Sequence, residues 1–256
     1  MAENTKRFVL PRLIKAEFFR STRSGIYLPL LALSGLASAF SLLLSANTGR
    51  LDFGSNLGEI IQTFSGGNSM MTIILVSMMI SLLVGNIYMH RIYYYEIMDG
   101  AGVHSIIVSK LISAYALTGI CVILPISAVF AAMYIKNGAG DVHSFGLFCL
   151  LAIAVILNTV TFMTLFTMLL KNMILGTVCS YLLIMFQAFI ELMVMNIKDM
   201  KLAQMILYLF PMFQMQGLAG MDYSGRFIAQ VLLSFAGMFI LMYALVWFTY
   251  KKKLFR

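Results

Sequence analysis

"LISAYALTGICVILPISAVFAAMYI", residues 111–135, contains no charged side chain. An apolar run of this length is read as a helix crossing a bilayer, whose hydrocarbon core takes about 20 helical residues. Five more runs read the same way, at roughly 26–46, 69–89, 144–170, 174–195 and 227–249. The fourth and fifth are separated only by Lys171 and Asn172. Composition agrees, with 61% apolar and 11% charged residues, where a soluble domain carries about a quarter charged. The expectation is an all-α polytopic membrane protein of six transmembrane helices, residues 1–256 forming one transmembrane domain. The first 25 residues are too long and too charged for a typical signal n-region, so the first span is expected to stay uncleaved. Cys121, Cys149 and Cys179 all lie in apolar runs. An odd number in that setting points to packing, not to a disulfide framework.

Orientation follows from Lys and Arg. Lys6, Arg7, Arg12, Lys15, Arg20 and Arg23 precede the first span, and Lys251, Lys252, Lys253 and Arg256 follow the last. Arg91, Lys110 and Lys171 fall between spans on that same side, while Arg50, Lys136, Lys198, Lys201 and Arg226 fall on the other. The bias places both termini and the 91–110 loop in the cytoplasm, in the cell (inner or cytoplasmic) membrane. The net charge of +8 is then a topology signal. Nucleic acid is not an expected partner, because the basic residues flank spans without exposed aromatics between them.

On a helical wheel, Leu10, Leu13, Ile14 and Phe18 share one arc, and Arg12, Lys15, Arg20 and Arg23 share the other. Residues 8–24 therefore read as an interfacial amphipathic helix on the lipid bilayer. Glu17 falls inside the apolar arc. It either pairs with Arg20 at i+3 or contacts another polypeptide.

The motifs of common chemistries are missing. There is no HExxH, no G-x-S-x-G and no Walker A. "GRLDFGS" (49–55) has glycine spacing without the lysine, and the "GAG" triplets at 100–102 and 138–140 follow apolar spans and not strands. His90, His104 and His143 are scattered, so no metal site is expected. The chain reads as no enzyme and as holding no cofactor of its own.

Small and hydroxyl residues recur at helical spacing: Ser34, Ser38, Ser41 and Ser45; Ser77, Ser81 and Gly85; Asn158, Thr161 and Thr164. They read first as close helix packing and secondly as a polar lining. Asn158, Thr161, Gln187 and Glu191 are the candidate substrate path; Glu191 is an intramembrane carboxylate about one turn from the outer end of its span, and it either reaches the interface or faces a cavity. Most of the 21 methionines read as adaptable packing. Residues 196–225, with Pro211, Gln214, Gln216 and Gly217, are too long for a tight turn and read as an extracellular or re-entrant segment of short broken helices.

Taken together, the cytoplasmic amphipathic helix ("LIKAEFFRSTRSG", 13–25), the polar loop between spans two and three, the segment before span six and the basic tail "YKKKLFR" resemble a permease subunit of the ABC-2 type exporter family. The residues that carry the resemblance are "KAEFFR" (15–20) and Glu96, Gly100 and Ser109-Lys110, similar to that family's E–x–G–x–SK loop. Ala101 stands where a Thr is common, and no Arg follows Lys110. By size and layout the chain is similar to permeases of lantibiotic-immunity and bacitracin-resistance exporters.

The resemblance implies that residues 91–110 form a coupling helix docking on a separate ABC ATP-binding subunit. That subunit would hold ATP and Mg, since this chain carries no ATP-binding motif. Glu96, Asp99, Gly100, Val103, Ile106 and Ile107 would make the docking surface, and Arg12, Lys15, Glu17 and Arg20 the elbow helix. It also implies a second permease, identical or a sibling, and alternating access for an amphipathic peptide or lipid-like substrate. A membrane-embedded enzyme would need convergent polar catalytic residues, and a secondary transporter would favour internal repeats and buried ion-pairing carboxylates. The sequence displays neither set.

Overall fold

The computed structural model describes residues 9–23, 25, 27–47, 69–89, 92–98, 100–138, 145–194, 206–219 and 225–254. Among these there is no strand. The helices are α1 (Val9–Arg23), α2 (Tyr27–Asn47), α3 (Ser69–Met89), α4 (Ile92–Met98), α5 (Val103–Thr118), a π turn (Gly119–Ile123), α6 (Leu124–Asn137), α7 (Phe145–Leu170), α8 (Met173–Val194), α9 (Pro211–Ala219) and α10 (Gly225–Leu254).

Their ends have local causes. Gly138 ends α6 in the left-handed region (φ 78), its N–H donating to the Tyr134 carbonyl, as a C-terminal glycine does. The turn between α7 and α8 needs only Lys171, at φ 55, and Asn172. The Asn172 Oδ1 accepts from the Leu175 N–H at 3.1 Å and so caps α8.

The π turn also has a cause in the sequence. Pro125 lacks an N–H, and its ring crowds the carbonyl four residues back, which is Cys121. The ladder passes this point at wider spacing, with the Leu124 N–H donating to Gly119.

α7 is the central helix, packing against α3, α5, α8, α9 and α10. Val155, Val160, Leu165 and Met168 of α7 join Ile80, Ile106, Ile107, Val122, Leu218 and Val246 in one core. Close approaches depend on absent side chains. A Cβ on Gly35 would lie 1.9 Å from the Cys121 carbonyl oxygen, and one on Gly85 would lie 2.5 Å from the Met173 Cα. Ser34, Ser38, Ser77 and Ser81 are buried at helix contacts, and the first three donate to carbonyls of their own helices. Ser34, Ser38, Ser77 and Ser81 thus serve packing.

Four helical stretches among the described residues are long and apolar enough to cross a bilayer: Met71–Tyr88, Val103–Lys136, Gly146–Leu170 and Gly225–Lys251, with mean hydropathies of 2.0 to 2.3. α2 and α8 are helices of 21 and 22 residues. Leu232, Leu233, Ile240 and Leu241 of α10, and Leu182, Phe186 and Phe189 of α8, face outward. Exposed apolar area on that scale is incompatible with water and suits lipid or a partner chain. The chain is a membrane-embedded helical protein.

The third apolar run differs from its expected form. Its helix begins at Val103, not near 111, and the 34-residue stretch to Lys136 spans about 50 Å at 1.5 Å per residue. That exceeds a hydrocarbon core of about 30 Å. The helix is therefore longer than a crossing along the bilayer normal needs, and most of the 91–110 loop is helix. Of the 196–225 segment, residues 206–219 and 225 are described. There α9 buries Phe213, Gln214, Met215 and Leu218.

Candidate functional site

The most unusual chemistry lies where α1, α4 and α5 meet. Glu17 and Glu96 are 3% exposed and Lys110 is 1% exposed. Charges so buried are costly unless paired, and here each one is. The Lys110 Nζ donates to Glu17 Oε1 at 2.8 Å and reaches Glu96 Oε2 at 3.2 Å. The Arg20 Nη1, nearer the surface, donates to Glu17 Oε1 at 3.1 Å and to Glu96 Oε1 at 2.5 Å. Two carboxylates and two cations close a neutral four-membered network joining three helices.

Local structure brings the four together. Glu17 and Arg20 are one turn apart on α1. α1 packs along α5, and this turns Glu17 onto Lys110. Glu96 arrives through the hairpin between α4 and α5. Gly100, in the left-handed region (φ 79), ends α4, its N–H donating to the Ile97 carbonyl and the Ala101 N–H to the Glu96 carbonyl. Any residue with a Cβ would be strained at that φ.

The two carboxyls titrate in opposite directions. Burial is the largest influence on Glu17 and raises its pKa. Lys110 and Arg20 pull back while Glu96 pushes further up, and the net lies above the ordinary carboxylate range. Burial also pushes Glu96 up, but Lys110 and Arg20 outweigh it and hold this carboxyl below that range. Two small cavities flank Glu17. One, about 20 Å³, is lined in part by Ser21, Lys110 and Ser113, and the other, about 30 Å³, by Arg20, Ser21 and Asn86. Each has room for about one water.

A second contact sits at the ends of α3, α7 and α10. The Tyr88 and Tyr250 hydroxyls meet, and Lys171 Nζ lies 4.2 Å from the centre of the Tyr250 ring. His104 at the start of α5 meets the Tyr243 hydroxyl of α10.

The residues singled out in the sequence divide as follows. Glu17, Arg20 and Glu96 come together, and Lys110, read in the sequence as a loop cation, completes the network. The Glu17–Arg20 pair exists, and the further partner of Glu17 is Lys110 of the same chain. Arg12 and Lys15 are exposed on α1, Gly100 is exposed at the hairpin and Val103 is half-buried. Ile106 and Ile107, expected on a docking face, are fully buried in the core. They hold α5 in the bundle and cannot anchor a partner. Among the described residues of α4, Tyr95 and Met98 are exposed apolar side chains, at 65% and 81%. Asp99 lies outside the described residues.

Asn158 and Thr161, candidates for a substrate path, are buried between helices. Thr161 Oγ1 meets the Tyr115 hydroxyl at 2.5 Å and donates to the Leu157 carbonyl at 2.7 Å. Gln187 and Glu191 belong to α8, but their side chains lie outside the described residues.

Sequence reading missed Lys110 as a buried residue, along with Tyr88, Tyr250 and the π turn. Pro125 in the middle of a span was the available sign of the last. No family model, curated protein or solved structure matches the chain.

Proposed function

We propose that this chain is the six-span permease half of an ATP-driven exporter of the ABC-2 type, with both termini in the cytoplasm and ATP hydrolysed on a separate subunit. The observation that carries this reading is the hairpin of α4 and α5. It offers Tyr95 and Met98 outward, while the Glu17–Arg20–Glu96–Lys110 network ties the same hairpin to α1 and to a helix continuing into the membrane. A lever that passes motion from a soluble subunit needs both parts: an adhesive tip and a stem that does not bend. The buried charges supply directional pairing between α1, α4 and α5. The fully buried Ile106 and Ile107 anchor the stem.

The outward apolar faces of α8 and α10 leave room for a second permease, as a homodimer or with a sibling chain. An amphipathic peptide or lipid-like substrate suits such walls. The docking residues differ from those read in the sequence, because the aliphatics of α5 are spent on the core.

Replacing Tyr95 and Met98 together by Asp tests the tip. Each lost apolar contact is worth about 1–3 kcal/mol. Binding of a subunit carrying a P-loop, identified by mass spectrometry after co-purification, is expected to fall at least about tenfold. The unfolding temperature of the permease should stay unchanged. Normal recovery of that subunit and normal transport would refute the assignment. Orientation is tested with single cysteines in a background lacking Cys121, Cys149 and Cys179. Lys136→Cys is expected to react with an impermeant thiol reagent from outside, and Tyr95→Cys only after the membrane is opened. The reverse pattern would invert the topology.

A further inference from the structure

We infer that the π turn Gly119–Ile123 is a register switch within the third long helix, about which α6 rolls against α7 while α5 stays fixed. This goes beyond the exporter reading and does not depend on it.

Four observations meet at the turn. Its wide spacing comes from Pro125, which leaves the Cys121 carbonyl without the usual donor four residues on. That carbonyl projects onto Gly35 of α2, where no Cβ fits. A glycine there gives the displaced carbonyl a place to go and holds the π register closed. The base of the turn carries polar atoms without partners. Tyr115 meets Thr161 across the antiparallel contact of α5 and α7. Three residues on and three back, Thr118 and Asn158 stand at the same level. Both are buried, and among the described residues neither Thr118 Oγ1 nor Asn158 Oδ1 has a hydrogen-bond partner. The present register therefore leaves this layer unsatisfied. Beyond the turn, packing is loose on the side where movement is needed. A cavity of about 40 Å³ lies between α6 and α7, lined in part by Ile126, Ser127, Phe130, Phe148 and Ala152. Single-turn π segments in α-helices frequently mark functional sites.

The geometry of the second state follows. Five residues at π spacing sweep less arc than five at α spacing. Closing the turn to α therefore rotates α6 by about a quarter-turn relative to α5. Phe130, which packs edge-on against Phe148, leaves that position. Val129, one residue earlier, takes its place. The roll closes the cavity and moves the turn's backbone past Thr118, bringing the unpaired Thr118–Asn158 layer into bonding reach. Below the turn, Ile106, Ile107 and Lys110 keep α5 in place.

The test uses the isolated full chain in lipid nanodiscs, without nucleotide or partner, so that its outcome is separate from that of the tip experiment. In a background with Cys121, Cys149 and Cys179 replaced by Ala, the pairs Phe130→Cys/Phe148→Cys and Val129→Cys/Phe148→Cys are each oxidised. Both are expected to cross-link, the second more slowly. Because cysteine at Phe148 removes a core ring, a fluorine resonance from 4-fluorophenylalanine at position 130 provides a second readout with packing intact. It is expected to show two slowly exchanging signals. Pro125→Ala supplies the missing N–H for Cys121 and should shift the signal ratio at least about tenfold toward the rolled state. Asn158→Leu should shift it the other way. A single fluorine signal unmoved by Pro125→Ala would overturn the switch. So would failure of the Val129 pair to cross-link while the Phe130 pair does.

Discussion

Replacing Lys110 by Met is expected to destabilise the protein by about 3–5 kcal/mol, the usual effect of removing one partner from a buried ion network. Methionine fills a similar volume, so the loss is electrostatic and not a packing defect. Two carboxylates would remain beside one cation, Arg20, which already lies between them. The variant should acquire a pH dependence whose sign follows from Glu17. Its folded pKa is already above the unfolded value, and losing Lys110 raises it further. A carboxyl raised in this way stabilises the folded state below its unfolded pKa, and that stability is lost as pH rises through the folded pKa. Glu96 has a lowered folded pKa, so its contribution runs the other way, present above the unfolded pKa and lost in acid.

In the intact network these two dependences oppose each other. In Lys110→Met the Glu17 dependence dominates, so thermal unfolding in nanodiscs should show a midpoint that falls as pH rises from the ordinary carboxylate range through the raised folded pKa of Glu17. Adding Glu17→Gln removes the surplus carboxylate and leaves the Arg20–Glu96 pair. Most of the lost stability should return and the pH slope should flatten. A Lys110→Met protein as stable as the parent at neutral pH, with no slope, would mean that the network does not hold these helices together.

Gly35→Ala is expected to be the most damaging single-methyl addition. Its Cβ would sit 1.9 Å from the Cys121 carbonyl oxygen and 2.9 Å from the Val122 Cα. Both are backbone atoms that cannot rotate aside, so α2 must move away from the π turn. Overpacking typically costs about 1–3 kcal/mol, and contact with backbone places this substitution at the upper end. Gly237→Ala on α10 is the control, since nothing lies within 4 Å of its Cβ. Alanine is the better helix former by about 0.5–1 kcal/mol, so this variant should melt at or slightly above the parent. Equal midpoints for the two variants would show that α2 and the π turn are not in backbone contact.

What could be read along the chain was what depends on neighbours in sequence. Runs such as 111–135 imply helices because a bilayer leaves a continuous apolar segment few other ways to satisfy its backbone. The helices observed at 69–89, 145–170 and 173–194 fall almost where hydropathy puts them. The amphipathic α1 was visible at 3.6-residue spacing, and the Glu17–Arg20 pair at i+3. Gly100 stood out in the 91–110 loop, and its left-handed φ ends α4. Pro125 carried the π turn, a local consequence of a missing N–H.

Only the tertiary structure decided where those faces turn. Ile106 and Ile107 look the same in sequence whether they point to solvent or to a core. The packing of α5 against α1 and α7 buries them, and this leaves Tyr95 and Met98 as the exposed tip. Lys110 reads as one more basic residue beside a span until Glu17, 93 positions away, and Glu96 arrive from two other helices. Asn158 and Thr161 read first as packing and secondly as a lining, and the position of α7 at the centre of the bundle buries both between helices. Hydropathy reports how much apolar surface a segment must hide. Which partner hides it is set by helix packing, and helix packing is a sum over contacts distant in sequence that no local pattern records.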